Sequence, residues 1–294
     1  MKVDLKQSNA EEILESFESL HVEINETLEI EVLQSTLESI GYKAFVDLAQ
    51  IYFMKMLTPK VNEQNITLRF KKLNTEASFH NTDYGNEKYG VESEFFNIDK
   101  TKQFSFLYYY QEALKFIQVS KKQRILNLGV NRGDEFSVIK NMLDTESFKA
   151  LEFLGVDYSQ TAIDYAKNEF KEHSNVEFTC RDINELESSN IGRFDLIISI
   201  GTLQSSNINF NKTFMSIYQN HLQKGGAMVL GFPNCRWIDG EMIYGAKAPN
   251  YSFNEMSLVL KDIHFCKKYL QQKGYRVVIT GKDYLFLTAR KILK

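Results

Sequence analysis

Residues 124–135 read RILNLGVNRGDE: an apolar run ends in a turn bearing Gly129 and Gly133, and a helix-like stretch begins at Asp134 and Glu135. A short apolar run bounded by glycine reads as a buried strand, and glycine in the turn lets backbone approach a ligand with no Cβ between them. The same alternation continues C-terminally. Strand-like runs at 124–128, 153–156, 176–179, 194–199 and 227–232 are separated by helical patterns at 135–143, 160–173 and 210–222. That order predicts a parallel α/β sheet. A helix over 257–273 ends at Gly274, a suitable left-handed cap, and 275–280 and 283–289 then read as an antiparallel hairpin about Gly281-Lys282.

Upstream, residues 10–57 read as two or three helices, from Ile13, Leu14, Phe17 and Leu20 to Leu28, Val32, Leu33 and Leu37 at three- and four-residue spacing. Thr58-Pro59 breaks that pattern, 66–73 is a candidate strand, 81–90 a loop and 106–119 a helix. The expected division is a mainly helical N-terminal extension, 1–120, followed by a sheet domain, 121–294.

The chain has 294 residues, 43% of them hydrophobic and 25% charged, which excludes a disordered or fibrous protein. Net charge is −3, without the basic excess that phosphate-backbone binding needs, so a small-molecule or protein substrate fits better than nucleic acid, with RNA a minor option and a small-molecule acceptor the main expectation. Residues 1–40 alone carry a net −8. The polar, acidic start lacks the apolar core of a secretory signal and no window nears 18 apolar residues, which predicts a cytoplasmic protein with no membrane partner. Cys180, Cys235 and Cys266 have no disulfide or metal spacing, so no metal is expected.

In an open parallel sheet, ligands lie beyond the carboxyl ends of the strands. A dinucleotide fingerprint laid on Gly129 needs glycine where Asn131 and Asp134 stand, and Asp134 and Glu135 at the helix start repel a pyrophosphate. A phosphate-free nucleoside suits the turn better. Asp157 follows the second strand, where a carboxylate can accept from both ribose hydroxyls, and Ser159 is placed to cap the next helix. Asp182 and the Ile183 backbone end the third strand, and Ser199, Gly201 and Gln204 end the fourth.

Together these residues resemble the class I S-adenosylmethionine-dependent methyltransferases. The resemblance covers about residues 123–292, with Asp157, Asp182, the LQKGG run before the fifth strand and the closing hairpin in family order. It implies a Rossmann-like, seven-stranded, mostly parallel sheet with its last strand antiparallel, and S-adenosylmethionine as methyl donor. It also implies roles at the cofactor: Gly129 and Gly133 beneath the methionine part, Asp157 on the ribose, and Asp182 with Ile183 at the adenine. Asn127, Asn131, Tyr158 and Ser199 complete the expected cofactor set. Asn127 replaces the family's acid and Asn131 its middle glycine.

The polar segment 78–95 is placed as a lid, and His80, Tyr84, Tyr89 and Glu92 are its candidate general bases. After the fifth strand, Asn234, Arg236, Trp237 and Tyr244 are expected, with Gln204, to meet the substrate. The expected activity is methyl transfer to a small molecule. The alternatives are a non-catalytic partner protein on the same fold, an NAD-type oxidoreductase and an aminopropyl-transferring relative. The amphipathic N-terminal helices also allow an oligomer.

Overall fold

Residues 27–33, TLEIEVL, alternate apolar and acidic side chains. In the computed structural model, which describes residues 1–6, 8–62, 65–77, 87–244 and 256–292, they form a strand. The N-terminal elements in chain order are β1 (Lys2–Asp4), α1 (Ala10–Ser19), β2 (Thr27–Leu33), α2 (Gln34–Ile40), α3 (Tyr42–Ile51), β3 (Met54–Val61) and β4 (Asn65–Lys72). Their sheet runs β1-β2-β4-β3, with β1 parallel to β2 and the other pairs antiparallel. Leu28, Ile30 and Val32 of β2 and Leu68 and Phe70 of β4 form a core with Ile13 and Phe17 of α1 and Phe45 of α3. Glu29 and Glu31 leave the opposite face, Glu29 to Lys60 at 2.9 Å and Arg69 at 3.2 Å, Glu31 to Lys2 at 2.6 Å and Lys6 at 3.0 Å.

The helical reading of 10–57 is therefore corrected at 27–33 and from Met54 onward, where the chain is strand. Leu28 and Val32 are four residues apart, a spacing that satisfies both a helical turn and a two-residue period. Ile30 between them distinguishes the two, because it joins the same core.

The following elements are α4 (Phe104–Phe116), β5 (Arg124–Leu128), α5 (Asp134–Met142), α6 (Thr145–Lys149), β6 (Glu152–Asp157), α7 (Gln160–Glu169), β7 (Val176–Cys180), β8 (Phe194–Ile200), α8 (Phe210–Ser216) and β9 (Leu222–Pro233). A short hairpin, β10 (Cys235–Ile238) and β11 (Glu241–Tyr244), precedes α9 (Met256–Gln272), β12 (Tyr275–Gly281) and β13 (Tyr284–Lys291). Contacts divide the chain into two compact units, residues 1–81 with 235–247 and residues 82–234 with 248–294.

The seven-stranded sheet of the second unit runs β12-β13-β9-β8-β5-β6-β7. The five strands β9, β8, β5, β6 and β7 are parallel, and β13 is antiparallel to both of its neighbours. This is the expected sheet. The chain fills one side of β5 with β6 and β7, then returns to the other with β8, so the order reverses between β5 and β8.

One face of the sheet buries Leu126, Leu128, Val156, Ile197 and Met228 against Phe214, Ile263 and Leu270. On the other, Phe136 of α5 stands 5.0 Å from Phe153 and 5.9 Å from Phe178, ring centre to ring centre. Among the described residues, no helix is long and apolar enough to cross a membrane, and no cluster of His, Cys, Asp or Glu could hold a metal ion.

Candidate functional site

The turn after β5 lies at the reversal point. Gly129, Asn131 and Gly133 take left-handed backbone, with φ of +74°, +44° and +84°. The Gly129 and Val130 N–H groups both donate to the Val156 carbonyl, at 2.8 and 3.1 Å, which folds the turn across the end of β6. The Asn131 N–H is thereby brought 2.8 Å from Asp157 Oδ2, while the Ser159 N–H donates to Oδ1 at 3.0 Å. Burial pushes the Asp157 carboxyl upward in pKa, and these backbone donors oppose the shift. Each oxygen retains a second lone pair, so Asp157 can still accept from a ligand hydroxyl.

The two glycines have packing reasons as well. A Cβ at Gly129 would stand 1.9 Å from Thr202 Oγ1, and one at Gly133 would stand 2.8 Å from the Phe170 ring. Asp182 caps the short 3-10 turn Ile183–Ser188, accepting from the Asn184 N–H at 2.8 Å, and the Ile183 side chain joins the core. Tyr158 is exposed beside Asp157.

Three buried polar atoms in this region have no hydrogen-bond partner: Asn127 Oδ1, Ser199 Oγ and Gln204 Oε1. The register sets Asn127 opposite Gly155 and Ile198, and Ser199 opposite Leu128 and Leu230, so the two leave opposite faces near the strand ends. Unsatisfied buried polar atoms are costly, and their position near the carboxyl ends of the strands fits a polar ligand.

Sequence reasoning missed the way residues 87–100 attach to this turn. The Asn131 side-chain amide donates to the Tyr89 carbonyl at 2.8 Å, and Arg132 Nη1 donates to the Phe96 carbonyl at 3.0 Å. Glu87 accepts from Ser159 Oγ at 2.8 Å and from Thr161 Oγ1 at 2.5 Å, at the start of α7. Asn131, where the family has glycine, thus tethers the preceding segment. Tyr89 is held protonated, because burial and the nearby Asp157 charge push its pKa up, and Glu92 is exposed. His80 and Tyr84 lie outside the described residues.

Ser159 acts twice, capping α7 by accepting from the Ala162 N–H at 3.2 Å and donating to Glu87. Ser159→Ala is expected to cost about 1 kcal/mol of stability in urea unfolding. An unchanged midpoint at unchanged slope would remove the capping role.

Glu135 was legible only as a helix-start acid. It sits on the same helical stripe as Val138 and Ile139, both buried, and that placement signals a charge facing inward. Its carboxylate accepts from Asn127 Nδ2 at 3.1 Å, and burial raises its pKa to about 7.

The expected substrate residues fall in both units. Asn234 is buried in the second unit, where its amide donates to the Lys282 carbonyl at 3.2 Å and so braces the C-terminal hairpin. Arg236, Trp237 and Tyr244 belong to the first unit, on the β10–β11 hairpin. There Arg236 donates to the Thr75 carbonyl at 3.1 Å, and Trp237 is buried.

Comparison with known proteins bears on this geometry. A family model described as a methyltransferase domain matches residues 119–278. No curated protein matches the sequence. Among solved structures, the chain is similar to PKMT2 from Rickettsia typhi in complex with AdoHcy, at 21% identity and TM-score 0.33 over 38% of this chain and 21% of that one. It thus spans about a fifth of that protein. It is also similar to the CurJ carbon methyltransferase, at 13% identity and TM-score 0.47 over 95% and 88% of the two chains. A third likeness is to the N-methyltransferase NodS from Bradyrhizobium japonicum, at 17% identity and TM-score 0.44 over 66% and 99%.

Proposed function

The chain belongs to the class I S-adenosylmethionine-dependent methyltransferases, and from that premise we propose that it transfers a methyl group to a small-molecule acceptor. The observation that carries the reading is the set of groups at the strand ends. Asp157 keeps spare acceptor capacity, and Asn127 Oδ1, Ser199 Oγ and Gln204 Oε1 are buried without partners. These groups suit a ligand rich in hydroxyl and ammonium donors, as the family's cofactor is.

When bound, that cofactor supplies an electrophilic methyl carbon on a sulfonium, which needs alignment with the acceptor more than covalent help from the protein. Asp157 would hold the ribose and Asp182 with the Ile183 backbone the adenine. Asn127 would hold the amino-acid end. The segment from Glu87 to Lys100, tied down by Asn131, Arg132, Ser159 and Thr161, would exclude water from this end of the sheet. Tyr89, whose pKa is raised by burial, would act there as a hydrogen-bond donor.

An NAD-type reading meets carboxylates at the helix start, since Asp134 and Glu135 open α5. Net negative charge in the chain supports a small acceptor over a nucleic acid. Equilibrium dialysis against radiolabelled S-adenosylmethionine, with NADH in parallel, is expected to show retention of the first alone. No retention at millimolar concentration would end this reading, and a partner-protein role would replace it.

A further inference from the structure

The family's acid is missing from position 127, yet a carboxylate reaches the same place from eight residues downstream. Asn127 is 1% exposed and donates its amide hydrogen to Glu135, which fixes the carboxamide and leaves Oδ1 buried and unpartnered. Glu135 is itself buried, on the first turn of α5. We propose that Asn127 and Glu135 together replace the family's acid: Oδ1 of Asn127 accepts from the ammonium of the cofactor's amino-acid end, and Glu135 behind it supplies the negative charge. This deepens the proposed function and rests on it.

An isolated asparagine offers either end of its amide and carries no charge. A carboxylate on Nδ2 fixes which end of the amide is the oxygen, leaves that oxygen without a partner and polarises the amide toward a cation. Glu135 is therefore a positioning residue that acts through Asn127. Its ionisation is set by everything packed around it. Lys100, whose ammonium lies 5.3 Å from the Phe95 ring centre and 5.2 Å from that of Tyr284, favours the charged form. Asp134 opposes it. Asp134 is in turn paired with Arg132 at 3.2 Å, and Arg132 also faces Asp99 at 3.7 Å. Tyr110 reaches the Glu135 backbone carbonyl, at 3.4 Å, from α4. With burial as the largest influence, the carboxyl titrates at about 7.

The test is calorimetric binding of two probes without turnover. S-Adenosylhomocysteine carries the amino-acid end, with its amine protonated from pH 6 to 8. 5′-Methylthioadenosine lacks that end but keeps ribose and adenine. For the wild-type chain, affinity for S-adenosylhomocysteine should fall about tenfold from pH 8 to pH 6, because one pH unit below its pKa roughly a tenth of a carboxyl stays ionised. Affinity for methylthioadenosine should stay level. Glu135→Gln should bind S-adenosylhomocysteine about tenfold more weakly at pH 8, with a flat pH profile and methylthioadenosine binding unchanged. Adding Asn127→Asp to that variant returns the charge to the family's position and should restore affinity.

If Glu135→Gln keeps wild-type affinity and pH profile, or weakens both probes equally, the proposal is overturned. A failure of Asn127→Asp to rescue does the same. A wild-type chain that retains neither probe refutes the methyltransferase reading instead, so the two failures are distinguishable.

Discussion

Asp157→Ala is expected to lose at least a hundredfold in affinity for S-adenosylhomocysteine, the largest effect of any single replacement at the strand ends. A carboxylate accepting from two hydroxyls makes charge-assisted hydrogen bonds worth about 1.5–3 kcal/mol each, and alanine removes both. It also strands two donors. The Asn131 and Ser159 N–H groups, now 2.8 and 3.0 Å from the carboxylate, would lose their acceptors. Each unsatisfied buried donor costs about 1–3 kcal/mol, so the apo protein should unfold at lower urea. Asp157→Asn keeps one acceptor oxygen and should fall between wild type and alanine in both measurements. Titration calorimetry beside urea unfolding separates the effects, and alanine binding as tightly as wild type would remove Asp157 from the site.

A second large effect concerns the apo protein and pH. Glu135 titrates at about 7 when folded, against 4.5 for the free side chain, chiefly because burial disfavours its charge. Between those values the folded state holds more protons than the unfolded one, so stability contributed by the neutral form is present below about pH 4.5 and lost as pH rises through 7. Above pH 7 the penalty develops fully, at roughly 3 kcal/mol for a shift of this size. Glu135→Gln keeps the shape and an acceptor for Asn127 while removing the charge. It should therefore stabilise the apo protein by about 3 kcal/mol at pH 8, equivalent to roughly 6–12 °C in Tm, and by little near pH 4.5. Equal stability of the two proteins at pH 8 would show that the Glu135 carboxyl is not raised in the folded state. The same replacement is expected to weaken cofactor binding, so the chain would be trading stability for an ionised group at its site.

Much of the second unit was legible because its signals are local. The runs RILNL, EFLGVD and FDLIISI are short, apolar and bounded by glycine, aspartate or serine, and parallel strands buried on both faces have that appearance. Gly274 marked the end of α9 for a similar reason: its φ of +76° is one that other residues adopt at a cost. The first unit was harder. In β2 the outward positions carry Glu29, whose compensating Lys60 and Arg69 are about 30 to 40 residues away in sequence, and Glu31, whose Lys2 and Lys6 lie about 25 to 30 residues away. No local window contains both halves of those pairs.

The site divides along the same line. That Asp157 ends a strand, that Ser159 caps a helix and that a phosphate-free ligand suits the turn are properties of neighbours in the chain, and the amino-acid order alone determined them. That Asn131 tethers Tyr89, that Glu87 reaches Ser159 and Thr161, and that Asn234 braces Lys282 depend on partners 42 to 74 residues distant. Glu135 is the intermediate case, its inward stripe visible in sequence but its bond to Asn127 made only when α5 folds back on β5. Local propensity fixes where an element begins and ends. Charge, burial and hydrogen bonding between distant segments exist only once packing has excluded water, and so the tertiary structure alone decided which polar groups face one another.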